Sequence, residues 1–223
     1  MFDDFTEAFS QDFDRPSVPL PVRPGDAALA ELFERFGGVS FNGGIYRVFD
    51  PIQLPKYNAM VEEGFPDFAG AVTVFGSDWL GRIFATTSKS DIQGRDGVMM
   101  FEPGTASALE IPCNVLTFHY EELVDSPDAA LADEFFENWR GSGKPAPRVN
   151  QCVGYIRPLF LGGQDPTANL ELIDMEVYWS VSVDLIRQAR GLPAGARLSG
   201  GRIPGRSFGS AGGGGGGGAR PSP

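Results

Sequence analysis

Histidine is almost missing from this 223-residue chain: His119 is the single one. A lone imidazole excludes a histidine-based metal cluster and any scheme that needs a second acid–base histidine. Its setting, Leu116-Thr117-Phe118-His119-Tyr120 followed by Glu121 and Glu122, reads as a helix-surface or core-edge position rather than a ligand or general base. Cysteine is nearly as scarce. Cys113 and Cys152 form neither a close pair nor a metal spacing, so both read as small core residues. Long apolar runs are absent too. The longest, such as Ala71 to Phe75, are far too short to span a bilayer. The opening MFDDFTEAF is acidic where a secretory signal would be basic, which makes the cytoplasm the expected compartment.

Phosphate-binding signatures are likewise lacking. The glycine pairs at 37–38, 43–44 and 162–163 have neither a following Lys-Ser/Thr nor dinucleotide spacing. Gly205-Arg206-Ser207-Phe208-Gly209 fits a nucleophile elbow, but that motif needs a strained strand-to-helix turn, and here it lies in a low-complexity tail. Trp79, Trp139 and Trp179 are not interleaved with basic residues, as a groove for stacked bases would require. A carboxylate-only acid–base pair stays open, because any acidic protein offers candidates. These absences favour a binding module over an enzyme, with no cofactor, no metal, and neither nucleic acid nor membrane as partner.

What is present in excess is acid. The formal net charge is −11, and it is unevenly spread. Six of the 18 basic residues (Arg187, Arg190, Arg197, Arg202, Arg206 and Arg220) lie beyond Asp184, where no acid occurs, so residues 1–186 hold 12 basic against 29 acidic residues, a net of −17. Such a body repels nucleic acid and steers basic partners toward itself. Charge alone names no partner, since acidity also keeps proteins soluble. Phenylalanine is the other excess, at 18 residues, and predicts a largely aromatic core.

Phe2, Phe5, Phe9 and Phe13 recur at helical spacing and predict a short amphipathic helix over 2–14, ended by the proline cluster Pro16–Pro24. A second helix is expected from the N-cap Asp26 to Phe36, stopped by Gly37-Gly38. Asn42-Gly43-Gly44 marks a tight turn in a hairpin over 40–49. Strands are predicted at 71–75, 82–86, 97–101 and 109–111, then helices over 115–124 and 127–140. In the second of these, Leu131, Phe135, Phe136 and Trp139 share one face, and Asp133, Glu134 and Glu137 lie opposite. GSGKPAP at 141–147 is the expected internal boundary. From Leu192 the composition collapses to Gly, Ala, Arg, Ser and Pro, with seven glycines at 212–218, and predicts a disordered tail.

Three stretches resemble a known family. Phe2 through Phe13, the prolines, and Leu29-Ala30-Glu31-Leu32-Phe33-Glu34-Arg35-Phe36-Gly37 look like the start of the GAD-like domain. Phe41–Pro51 and Val74-Phe75-Gly76-Ser77-Asp78-Trp79-Leu80-Gly81-Arg82-Ile83-Phe84 are similar to its next elements. Gly154-Tyr155-Ile156-Arg157-Pro158-Leu159-Phe160-Leu161-Gly162-Gly163 with Asn169-Leu170-Glu171 resembles the C-terminal domain of type VI secretion DNase-immunity proteins. Departures are the polyglycine tail and a loose match at Arg95–Gly104.

The resemblance implies a GAD-like domain over 1–145, an immunity-type subdomain over 146–191 packed on it, and a tail from 192. It implies an α+β fold: a small mixed or antiparallel sheet packed by helices, with a helical C-terminal subdomain. Members of that family are encoded beside a secreted DNase toxin and protect the cell by binding it, so there are no catalytic residues to carry over. Gly43, Gly44, Gly162 and Gly163 then read as backbone-enabling residues, with Gly76 a further structural position of the motif. Phe75, Trp79, Tyr155 and Leu161 read as core, and Asn169 as the cap of a last helix. Residues 173–185 conflict: odd positions alternate as in a strand, while Ile173, Val177, Tyr178, Val181 and Leu185 form a helical stripe. The resemblance favours the helix. The expected partner is a cognate toxin, a basic nuclease, met by Glu121, Glu122, Asp125, Asp133, Glu134 and Glu137. Rival readings are a regulatory domain that binds another protein, or a carboxylate-only enzyme.

Overall fold

The computed structural model describes residues 1–13 and 25–190. The expected proline connector, the glycine-rich tail and the Ser207 motif lie outside the described residues.

Six strands form one antiparallel meander in chain order: β1 (Ser40–Phe41), β2 (Tyr46–Val48), β3 (Val72–Asp78), β4 (Ile83–Ile92), β5 (Arg95–Glu102) and β6 (Ser107–Asn114). Their period-two alternation sends Phe75, Phe84, Val98, Met100 and Cys113 into one apolar cluster, and Val74, Ile83, Ala85, Met99 and Phe101 into another. Both faces are therefore buried, and helices cover each. On the first lie α1 (Asp3–Ala8), α2 (Ala27–Phe36), a bent helix over 115–125, α6 (Pro127–Leu131) and α7 (Asp133–Gly141). The bent helix joins α4 (Val115–Thr117) to α5 (Leu123–Asp125) through a π-helical turn at Phe118–Glu122. On the second face lie α3 (Leu54–Gly64) and α8 (Met175–Arg190), which pack on each other. A separate antiparallel pair, β7 (Gln151–Tyr155) and β8 (Leu170–Asp174), leads into α8. The fold is α+β.

Local chemistry accounts for the boundaries. Asp26 caps α2 as expected, accepting the Ala28 and Leu29 N–H groups at 2.6 and 3.2 Å. In β3 the register shifts at Phe75, beside Gly76, where any Cβ would sit 2.5 Å from the Arg47 carbonyl oxygen. Cys113 and Cys152 are free and buried.

Several expectations need correction. Residues 173–185 follow both patterns in succession: the strand runs to Asp174, and the helix begins at Met175. Asp174 receives the Glu176 and Val177 N–H groups at 3.0 and 3.2 Å, so it, not Asn169, caps the last helix. Leu161 is half-buried rather than core. The helix over 127–140 is two helices, because Ala132 adopts the left-handed conformation (φ 53°, ψ 52°) between them. No element was expected between Pro51 and Gly70, yet Leu54, Tyr57 and Val61 recur at helical spacing, and Leu54–Gly64 forms α3, which buries Tyr57 and Val61 in the second cluster.

His119 is the largest departure. It is fully buried, its ring surrounded by Phe2, Phe5, Tyr46, Phe75 and Phe118 at centroid distances of 5.1–5.8 Å. The cause is the π-helical turn, whose extra residue breaks the helical period counted from sequence.

Candidate partner-binding surface

The acidic residues predicted as a site are carried by the helical layer on the first sheet face. Glu121 and Glu122 sit on the π-helical turn, and Asp125 ends α5 beyond it. Asp133, Glu134 and Glu137 belong to α7. Of the six, Glu122 and Asp133 are half-buried and the others exposed.

The layer brings some of them together. Asp133 and Glu137 line one cleft of about 310 Å³ with Phe9, Asn42, Pro127 and Arg140. Glu137 is paired there with Arg140 at 3.3 Å. Burial pushes the Asp133 carboxyl above its ordinary pKa, and the charges of Glu137 and Asp128 push the same way. Asp128 also closes the break between α6 and α7, because its Oδ1 accepts the Glu134 N–H at 3.0 Å. Glu121 and Glu122 act elsewhere. Their charges, after desolvation, help hold the Cys113 thiol up at about 12, and neither lines the cleft.

Sequence reasoning missed part of this surface. α1 packs on α5 and on the π-helical turn, so its exposed Asp3, Asp4 and Glu7 join the same layer, with Asp128. The signal was present: acids fill the positions between Phe2, Phe5 and Phe9, whose rings are buried. Ten carboxylates result. Among the described residues, Arg140 and Arg35, the latter 3.5 Å from Asp3, are the cations paired with them.

The glycine and aromatic motif residues hold the scaffold. Gly43, Gly44 and Gly162 have φ of +74°, +90° and +79°, a region closed to most side chains. Gly163 is needed for space, since a Cβ would lie 2.0 Å from the Arg157 carbonyl oxygen. Trp79 is a hub: its indole N–H donates to Leu131 O at 2.9 Å, its backbone N–H to Ile45 O at 3.0 Å, and its carbonyl accepts from Val153. Asn169 fastens the loop after β7, accepting the Arg157 N–H at 3.0 Å and donating to Arg157 O and Gln164 O at 2.9 and 2.7 Å. Among the described residues no group of three His, Cys, Asp or Glu side chains is placed to hold a metal ion, and no helix is long and apolar enough to cross a membrane.

Against known proteins, the match is structural. The chain superposes on the crystal structure of Atu4351 from Agrobacterium tumefaciens with a TM-score of 0.52 at 13% identity, over 82% of this chain and 88% of that one. The likeness is one of fold. No protein-family model and no curated protein sequence matches.

Proposed function

We infer that this chain is an immunity protein, which binds and neutralises a cognate secreted toxin, a type VI DNase, by laying an acidic surface over the toxin's basic one. The observation that carries the reading is the helical layer of α1, the 115–125 helix, α6 and α7. It carries ten carboxylates, eight of them exposed, on helices that cover the same face of the sheet. A nuclease must present cations to DNA phosphates, and an acidic protein surface competes for those cations while steering association at high rate. The resemblance over roughly residues 2–191 to the type VI DNase-immunity family supplies the class of partner. The chemistry asks only for charge and shape, so no residue here is assigned a catalytic role.

The test uses the product of the gene adjacent to this one. Its purified nuclease domain should bind the chain, lose DNase activity in a one-to-one mixture, and bind more weakly as salt rises. The triple reversal Asp133→Lys, Glu134→Lys, Glu137→Lys should weaken binding by roughly 100-fold and abolish protection of cells that express the toxin. Full protection by that variant would remove α7 from the interface. A neighbouring product that is no toxin, or that keeps full activity in the mixture, would overturn the immunity reading.

A further inference from the structure

From Pro127 to Arg140 the sequence has the pattern of one amphipathic helix. The chain nevertheless breaks at Ala132, whose left-handed conformation (φ 53°, ψ 52°) is unfavourable for an L-residue. A helix that stops leaves its last carbonyls without N–H donors. Among the described residues no backbone N–H outside α6 reaches Ala130 O or Leu131 O. Both residues are buried, so these oxygens must find donors within the protein.

The turn between β3 and β4 supplies two. The Arg82 Nη2–H donates to Ala130 O at 3.0 Å, and the Trp79 indole N–H to Leu131 O at 2.9 Å. Arg82 is itself held. Its Nε–H pairs with Asp78 Oδ2, while Asp78 Oδ1 accepts the Leu80 and Arg82 backbone N–H groups at 3.0 and 2.9 Å. Asp78 is fully buried and Arg82 is 8% exposed, so water and salt screen the pair little. Two donors on one braced turn thus grip consecutive carbonyls at the end of α6. Beyond the break, the Trp79 ring meets Phe135 and Phe136 at 5.5 and 5.1 Å. The sheet, and not the helix's own sequence, sets where α7 begins.

We propose that Arg82 is a positioning residue for the partner-binding surface: braced by Asp78, it keeps the chain broken at Ala132, so that α7 holds Asp133, Glu134 and Glu137 in the array the partner meets. The inference rests on the immunity reading. Without the Arg82 bond, Ala130 O has a ready substitute in the Glu134 N–H four residues on, the ordinary helical donor. Taking it releases that N–H from Asp128, joins α6 to α7, and turns the whole of α7 with its three acids.

Arg82→Lys tests this, because a single ammonium keeps the charge opposite Asp78 but lacks the fork that also reaches Ala130 O. In the full chain labelled with ¹³C, the Ala132 Cα and Cβ shifts report whether that residue is left-handed or helical. The variant should move them toward helical values. The nuclease domain of the adjacent gene product should dissociate from it roughly tenfold faster, with association unchanged because the net charge is the same. Adding Ala132→Gly, which makes the left-handed conformation accessible, should restore slow dissociation although the Arg82 bond stays absent. All rates are taken well below each variant's thermal midpoint, so a general loss of stability does not reproduce this pattern. Should Arg82→Lys fail to fold, Trp79→Phe removes the Leu131 bond alone and is read in the same way. Unmoved Ala132 shifts, dissociation as slow as from the unsubstituted chain, or no rescue by Ala132→Gly would each overturn the proposal. A nuclease domain that the unsubstituted chain does not bind would overturn the immunity reading instead, while the Ala132 shifts still decide whether Arg82 holds the break.

Discussion

At the scale of single residues, His119 shows how burial sets chemistry. Its Nδ1 lies 2.7 Å from the Val115 carbonyl oxygen and its Nε2 2.9 Å from the Tyr46 hydroxyl. A carbonyl can only accept, so Nδ1 carries the proton and Nε2 receives the Tyr46 O–H. Desolvation lowers the imidazole pKa from 6.5 to about 4, against the opposing Val115 bond. The unfolded chain then takes up a proton near pH 6.5 that the folded chain refuses until about pH 4. Stability is fully present above the upper value and falls as pH drops between the two, by about 3 kcal/mol from this residue. Urea denaturation across that window should show the slope, and His119→Gln should flatten it. An unchanged slope in the variant would assign the loss to carboxylates. Tyr46→Phe, which leaves Nε2 buried without a donor, should cost about 1–3 kcal/mol near neutral pH.

At the scale of elements, conformational exceptions decide the layout. Ala132 at φ 53° divides α6 from α7, and the left-handed conformation costs an L-residue roughly 1–2 kcal/mol. Ala132→Gly should therefore raise stability by up to about 1 kcal/mol, after the glycine's own entropy cost, read as a higher thermal midpoint. A lower midpoint would mean the Ala132 methyl contributes more to packing than the strain costs. The loop after β7 is a second case. Asn169→Ala removes three hydrogen bonds to Arg157 and Gln164 and should cost about 2 kcal/mol, with faster amide exchange confined to residues 156–169. Elements with a single clear period, such as α2 and the β3–β4 pair, were legible from sequence. Those where a period is interrupted were not: the π-helical turn at Phe118–Glu122, the break at Ala132 and the strand-to-helix switch at Asp174 each depend on one residue's conformation.

At the scale of the whole molecule, the net charge of −17 over residues 1–186 acts as self-repulsion. Raising ionic strength from low to physiological should stabilise the chain by of order 1 kcal/mol, because screening relieves like charges more than it weakens the few exposed ion pairs. Denaturation midpoints in sodium chloride series check the sign. A fall with salt would mean that ion pairs such as Arg187–Glu63 at 2.6 Å outweigh the repulsion. The same field is what a basic partner would meet, so salt should act in opposite directions on folding and on binding.

The sequence by itself determined the helices and strands with one clear period, the aromatic core, the cap at Asp26 and the acidity of the body, because these follow from local periodicity, composition and charge count. It could not decide which carboxylates share a surface. Asp3, Asp4 and Glu7 join Asp125 and Asp133 through the docking of α1 on the 115–125 helix, a contact between residues more than a hundred positions apart. Nor could it show that Arg47 is buried, since that depends on the chain at Pro147 and Gln151 packing on β2. Residue type limits what each side chain can do; only the packed chain decides which residues meet, and how far water is kept from them.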